Sequence, residues 1–219
     1  EDKNHVGLKC LEHGRESPID SIWNPKFFEE IDRVLKAFAE HYMPMDVLES
    51  VQPGICGDYG EAIMPVTGNW PGDYHSHRGF WAGDALAAED FRRWLRKKYG
   101  TFENLKNAWF KRFGTDLTTF DEITPFARKD MPSRTAFFDL VDWYRASMTA
   151  YADFWMRTCR EYFGSLPVYL CTGGQEEPEH ASLFSDQAKT AAKYGGGIRL
   201  TNECNKYFEN FYLTAYTWS

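Results

Sequence analysis

Four short apolar runs, each followed by a longer segment with helical periodicity, constrain the fold of this chain most strongly. The runs have the length of buried strands and cover residues 6–11, 48–57, 167–172 and 197–202. Each ends at glycine or acidic residues, which is typical of a βα repeat. We therefore predict an α/β fold with a parallel sheet. The repeat implies a parallel sheet or a parallel barrel, with the helices packed outside.

The segments between and after the runs predict six helices. Apolar residues recur every three to four positions across each of them. The first opens at Asn24-Pro25, an N-cap residue followed by proline at the first helical position. The polar segments 12–21 and 114–133 are interpreted as loops. The predicted helices cover residues 24–41, 85–99, 102–113, 134–163, 184–194 and 206–217.

The second apolar run breaks into a turn, Gly57-Asp58-Tyr59-Gly60-Glu61. Its two glycines let the backbone turn sharply and approach a ligand closely. Asp58 and Glu61 then lie just past the end of a strand, where parallel barrels carry their sites. A carboxyl group in this place can protonate the leaving oxygen of a sugar, so Glu61 is the candidate catalytic acid. The alternative is a structural turn with an acidic loop facing solvent.

Aromatic and polar residues follow this turn, and more polar residues follow the fourth run. Flat Trp and Tyr rings stack on sugar faces, although such rings also pack within loops. Glu203 is either a second catalytic carboxylate or a ligand of a sugar hydroxyl, and we favour the ligand role. The candidate substrate-binding residues are Asp58, Trp70, Tyr74, His75, Trp81, Asn202 and Glu203.

Charge and motif content argue against several other classes of function. The net charge is −7, and no basic patch indicates a nucleic-acid or anionic-membrane partner. The sequence shows neither a signal peptide nor an apolar stretch of membrane-spanning length, and the compartment stays open. No glycine-rich dinucleotide fingerprint follows a strand, and His75-Ser76-His77 alone is too small a motif to predict a metal site. We therefore expect no metal and no cofactor. The five cysteines lack a C-x-x-C pair and are predicted to be buried free thiols.

One long segment resembles a known family. Phe91-Arg92-Arg93-Trp94-Leu95-Arg96-Lys97-Lys98-Tyr99-Gly100-Thr101, then Asn107-Ala108-Trp109 and Phe120-Asp121-Glu122-Ile123, is similar to the segment after the acid/base glutamate of family 42 β-galactosidases. Those enzymes are retaining (β/α)8 glycosidases. Their turn reads Asn-Glu-Tyr-Gly, whereas Gly57 to Pro65 here is similar to the acid-bearing turn of β-amylases, which share the barrel and invert. Either resemblance implies Glu61 as the proton donor.

The resemblance implies an α/β fold, a parallel (β/α) barrel of TIM type with only part of its eight βα units present. If the first run is barrel strand 3, the chain carries strands 3 to 6, and the second catalytic carboxylate would follow strand 7, beyond Ser219. We therefore expect residues 1–219 to be part of one catalytic domain. We expect the open sheet edges to be completed by the remainder of the chain or by another copy in a homo-oligomer.

The function that these observations favour is glycoside hydrolysis by two carboxylates. The resemblance implies a β-galactosidase-like retaining enzyme that acts on a carbohydrate substrate. The alternative is a non-catalytic carbohydrate-binding or scaffold protein on a degenerate barrel. A second catalytic acid after strand 7 would favour the enzyme.

Overall fold

The computed structural model describes residues 4–57, 59–65, 77–112, 114–173, 176–200 and 207–218. Within these ranges the strands are β1 (Gly7–Lys9), β2 (Glu16–Asp20), β3 (Tyr169–Thr172) and β4 (Gly197–Leu200). The α-helices are α1 (Pro25–Tyr42), α2 (Ala85–Tyr99), α3 (Phe102–Phe110), α4 (Arg134–Phe163), α5 (Phe184–Lys193) and α6 (Tyr207–Trp218).

Three of the four apolar runs lie side by side in parallel, as predicted. β3 pairs with β4 in parallel, in a register that joins Tyr169 to Gly197 and Thr172 to Leu200. On the other edge of β3, Val51 forms a parallel bridge with Val168. The run 48–57 is shorter than predicted as a strand, because regular pairing there is confined to this bridge.

The first run forms a strand, β1, as predicted, but its predicted parallel pairing is wrong. β1 pairs antiparallel with β2, joining Gly7 to Asp20 and Lys9 to Glu16, in a separate two-stranded sheet. Segment 12–21, predicted as a loop, therefore supplies a strand. Antiparallel neighbours need only a short connection, and Gly14 provides a turn with φ of +70°. Pro18 is tolerated because a two-stranded ribbon has edges where a missing N–H leaves no ladder bond unpaired.

The six predicted helices are confirmed, with small differences at their ends. Asn24 caps α1 by accepting a hydrogen bond from the Lys26 N–H at 3.1 Å. Asp84 caps α2 by accepting from the N–H groups of Leu86 and Ala87. The segment 114–133, predicted as irregular, contains two short 3₁₀ turns. In the part of the chain described, no helix combines the length and apolar character that crossing a membrane requires.

Helix α4 forms the centre of the core. Its buried residues pack against α1, α2, α3 and α5, whereas a stripe through Phe138, Asp142 and Ala146 is exposed. The Tyr144 hydroxyl accepts a hydrogen bond from the Trp81 N–H at 2.8 Å, which ties the loop before α2 to this helix. The described cysteines are free and buried, as predicted: Cys10, Cys56, Cys159 and Cys171.

Asp139 of α4 is a buried carboxylate that joins α2, α3 and α4. It is 2% exposed. It accepts hydrogen bonds from the Trp109 indole N–H and the Lys98 ammonium, both at 2.6 Å, and from the Tyr99 hydroxyl. Burial, followed by the bond to Asp139, raises the pKa of Tyr99, which keeps its hydroxyl protonated as a donor. Three donors on one carboxylate offset the cost of burying its charge.

We predict that Asp139→Ala lowers the free energy of unfolding by about 2–4 kcal/mol. The Tyr99 hydroxyl and the Trp109 indole would each lose an acceptor, at roughly 1–3 kcal/mol per buried group. The matched control is Asp142→Ala on the same helix, since Asp142 is 60% exposed and lies 3.7 Å from the Lys98 ammonium. Its effect should stay within about 0.5 kcal/mol. Urea unfolding measures both, and equal losses would contradict a structural role for Asp139.

Candidate active site

The turn between Ile55 and Glu61 is held by its own backbone. The N–H groups of Cys56 and Gly57 both donate to the Glu61 carbonyl, at 3.2 and 2.9 Å, and the Ile55 N–H donates to the Gly60 carbonyl at 3.2 Å. Gly60 has φ of +84°, which L side chains rarely adopt. The chain thus leaves the sheet after Val51, reverses at Gly57–Gly60 and returns with Glu61.

The residues after the turn dock against β3. The Ala62 N–H donates to the Cys171 carbonyl at 2.8 Å, and the Met64 N–H donates to the His180 carbonyl at 3.1 Å. The buried Gln187 amide of α5 donates to the Ala62 carbonyl at 2.7 Å. These bonds place Glu61 next to the C-terminal end of β3, the edge at which sites lie in parallel barrels.

The Glu61 side chain is buried and lies within electrostatic range of Arg199. It is 2% exposed, and its Oε2 accepts a hydrogen bond from the Tyr59 N–H at 2.9 Å. Arg199 of β4 contacts the Cys171 sulfur through Nη1 at 2.9 Å. This contact, with a smaller contribution from Glu61, raises the pKa of Arg199. A charged guanidinium within electrostatic range of a buried carboxylate is an arrangement that can hold and orient a polar substrate.

Of the predicted substrate-binding residues, the described ranges contain Trp81, and it is not on a rim. Its side chain has no accessible surface. The indole N–H donates to the His77 carbonyl at 3.4 Å, and the two rings lie 5.1 Å apart. The expected stacking on a sugar face is therefore not available at Trp81, because the loop before α2 folds over the core.

The other predicted binding residues lie outside the described residues: Asp58, Trp70, Tyr74, His75, Asn202 and Glu203. Their convergence on one cleft with Glu61 stays a prediction. Glu203 as a second catalytic carboxylate or as a sugar ligand therefore also stays untested.

Two features were not predicted from the sequence. The first is the Arg199–Cys171 contact, which depends on paired positions of neighbouring strands facing the same way. The second is a cluster of Cys10, His13 and His77 between the β1–β2 hairpin and the loop before α2. Burial, followed by a hydrogen bond to Glu12, raises the pKa of Cys10 to about 11. Desolvation and the charge of His77 lower the pKa of His13.

A family comparison matches half of the chain. The model of glycoside hydrolase family 42, described as β-galactosidase, matches residues 74–183. The match includes β3 and the segment from Phe91 to Ile123, whose residues resemble that family. Glu61 lies before the matched region. A comparison with proteins of curated function finds no match.

Solved structures of glycosidases share the fold. The catalytic domain of a β-amylase from Paenibacillus polymyxa has a TM-score of 0.70 at 15% identity, over 91% of this chain and 53% of that one. A β-galactosidase from Bacillus circulans sp. alkalophilus has a TM-score of 0.66 at 15% identity, over 96% and 29%. A β-galactosidase from the psychrophilic Marinomonas ef1 has a TM-score of 0.60 at 20% identity, over 84% and 26%.

These likenesses support the predicted fold class. The neighbours are TIM-barrel glycosidases, and at these identities they bear on fold alone. This chain spans about half the length of the β-amylase domain and under a third of either β-galactosidase. The small parallel sheet of β3 and β4, extended by the bridge at Val51, agrees with part of an α/β barrel.

We predict that Gly57→Ala disturbs the turn that carries Glu61. A Cβ atom at residue 57 would lie 2.6 Å from Ile63 Cγ1 and 2.9 Å from Glu61 Oε2. Such overpacking costs about 1–3 kcal/mol in the free energy of unfolding. Gly54→Ala is the matched control, because nothing lies within 4 Å of its added Cβ. Thermal and urea unfolding of both variants test this, and an unchanged stability of Gly57→Ala would refute the packing described.

Proposed function

Because the chain belongs to glycoside hydrolase family 42, the β-galactosidase family, we propose that it supplies part of the catalytic domain of a β-galactosidase-like retaining glycosidase. The observation that carries this proposal is the family match over residues 74–183. The placement of Glu61 at the C-terminal edge of a parallel strand supports it further. The substrate class is a carbohydrate with a β-linked galactose-like sugar.

In this proposal Glu61 is the general acid and base. Its carboxyl proton passes to the glycosidic oxygen as the bond from that oxygen to the anomeric carbon breaks. A second carboxylate attacks the anomeric carbon and forms a glycosyl-enzyme ester. The Glu61 carboxylate then takes a proton from water, whose oxygen displaces the second carboxylate and releases the sugar.

The surroundings of Glu61 suit this role. The Tyr59 N–H fixes one carboxylate oxygen at 2.9 Å, so the group is held in one orientation. Low exposure keeps bulk water from the proton during transfer. We propose that Arg199 contacts sugar hydroxyl groups, since its guanidinium is exposed beside the buried Cys171.

Roles for the remaining residues follow from the same proposal. Asp58, Asn202 and Glu203 would bind sugar hydroxyl groups, and Trp70 and Tyr74 would stack on sugar faces, with His75 at the same rim.

A non-catalytic carbohydrate-binding protein is the competing function. It would bind sugars without releasing a leaving group, so turnover separates the two. Because the structure is similar to a β-amylase domain, both α- and β-linked substrates should be tested. A panel of α- and β-linked aryl glycosides, offered to the intact protein, tests turnover and linkage in one experiment.

We predict that Glu61→Gln in the intact protein lowers kcat for an unactivated β-linked disaccharide by about 10²- to 10⁴-fold, the usual contribution of a general acid. Sugar binding should be retained, because the amide has nearly the same shape. With a dinitrophenyl glycoside, the rate of the first step, cleavage of the glycosidic bond, should fall little, since that leaving group needs no proton. Added azide should then speed the second step in a retaining enzyme.

The matched control is Glu49→Gln, an exposed glutamate that lies before the bridge at Val51. Its activity should equal that of the parent protein. If Glu61→Gln hydrolyses the disaccharide as fast as the control, Glu61 is not the acid. If the parent protein binds sugars and turns over no member of the panel, the competing function is favoured.

A further inference from the structure

The first hairpin and the loop before α2 are joined by backbone hydrogen bonds. The Leu11 N–H donates to the Phe80 carbonyl and the Gly83 N–H donates to the Lys9 carbonyl, both at 2.8 Å. Gly79 sits at the closest approach, where a Cβ atom would lie 2.7 Å from Glu12 Oε2 and 2.8 Å from His77 Cε1. The two segments are therefore held in contact by the protein itself.

Three potential metal ligands meet at this junction. The Cys10 sulfur lies 3.0 Å from His77 Nε2, and His13 Nε2 lies 2.6 Å from the same nitrogen. All three ligand atoms lie within 4.8 Å of one another. Cys10 is buried at the base of the cluster, whereas His13 is exposed, so an ion can enter from solvent.

The surroundings prepare the donors for coordination. His77 Nδ1 lies 2.7 Å from the Arg78 carbonyl, to which it donates, and this leaves the Nε2 lone pair for an ion. Glu12 Oε2 lies 3.1 Å from the Cys10 sulfur, and the Phe80 N–H donates to both carboxylate oxygens. His13 Nδ1 accepts from the Arg15 N–H at 3.3 Å, a long and exposed bond that water can replace.

We propose that Cys10 Sγ, His13 Nε2 and His77 Nε2 bind one zinc ion, with a water molecule in the fourth position. The thiol proton leaves to solvent as the sulfur–zinc bond forms. A tetrahedral site with usual bond lengths separates such ligand atoms by about 3.3–3.6 Å. The His13–His77 separation would therefore widen by about 0.7 Å and the Cys10–His77 separation by about 0.6 Å, movements that the exposed His13 and half-buried His77 side chains permit.

The donor set selects the class of ion. One sulfur and two imidazole nitrogens suit zinc and similar first-row ions, whereas calcium and magnesium require oxygen ligands. Cys10 and His77 are 67 residues apart in sequence. The ion would therefore link the β1–β2 hairpin to the loop before α2 and reinforce their backbone contact. This inference is independent of the proposed glycosidase activity.

The test begins with metal-free protein titrated with zinc chloride by calorimetry. We expect one ion per chain and a higher Tm in its presence. Cobalt(II) in place of zinc should give a thiolate-to-metal charge-transfer band and the strong visible bands of a tetrahedral site. Cys10→Ser and His77→Ala should weaken zinc binding by at least about 100-fold, since even outer-shell partners are worth 10- to 100-fold.

The control variant is His41→Ala, which removes an exposed histidine at the end of α1. It should bind zinc as the parent protein does. Circular dichroism establishes that each variant is folded. Absence of a thiolate band with cobalt in the parent protein would overturn the proposal without reference to any variant. So would zinc affinity that is the same in Cys10→Ser, His77→Ala and His41→Ala.

Discussion

The pairing along one edge of β3 is the constraint from which the candidate site follows. The Val51 N–H donates to the Pro167 carbonyl, and the Ala62 N–H donates to the Cys171 carbonyl. Between these two bonds one segment advances eleven residues, from 51 to 62, while its partner advances four, from 167 to 171. The surplus residues cannot lie in the ladder, so they form the turn that ends at Glu61. A strand of regular length here would have no place for that carboxylate.

Asp139 and Glu61 are both buried carboxylates, but their surroundings differ. Asp139 receives donors from Lys98, Tyr99 and Trp109, and it lies deep among helices. These donors offset the cost of burying its charge, and the carboxylate joins α2, α3 and α4. Glu61 lies at the end of a sheet, within electrostatic range of the exposed Arg199. Burial at an edge reached by an exposed cation is the environment expected of a group that acts on a ligand.

The sequence predicted those features that depend on local rules. Helix periodicity and the capping residue Asn24 act within a few positions, and the helices are found where they were expected. The parallel pairing of three apolar runs was also predicted, because each buried strand of a βα repeat is a short apolar run followed by a helix. The strand β2 was missed, since its alternation is weak and its stability depends on pairing with β1. Trp81 was misjudged because an aromatic-rich loop looks the same whether it faces solvent or folds over a core. The Cys10–His13–His77 cluster was missed because its members are brought together by tertiary structure alone.

The backbone contacts on either side of segment 66–76 connect the two proposals. On the side that follows Glu61, the Met64 N–H is held by the His180 carbonyl. On the other side, Phe80 is held by Leu11 and by Glu12, next to His77. Trp70, Tyr74 and His75, the residues predicted to contact sugar, belong to the segment that these anchors bracket. An ion at His77 would stiffen one anchor and leave the Glu61 turn untouched.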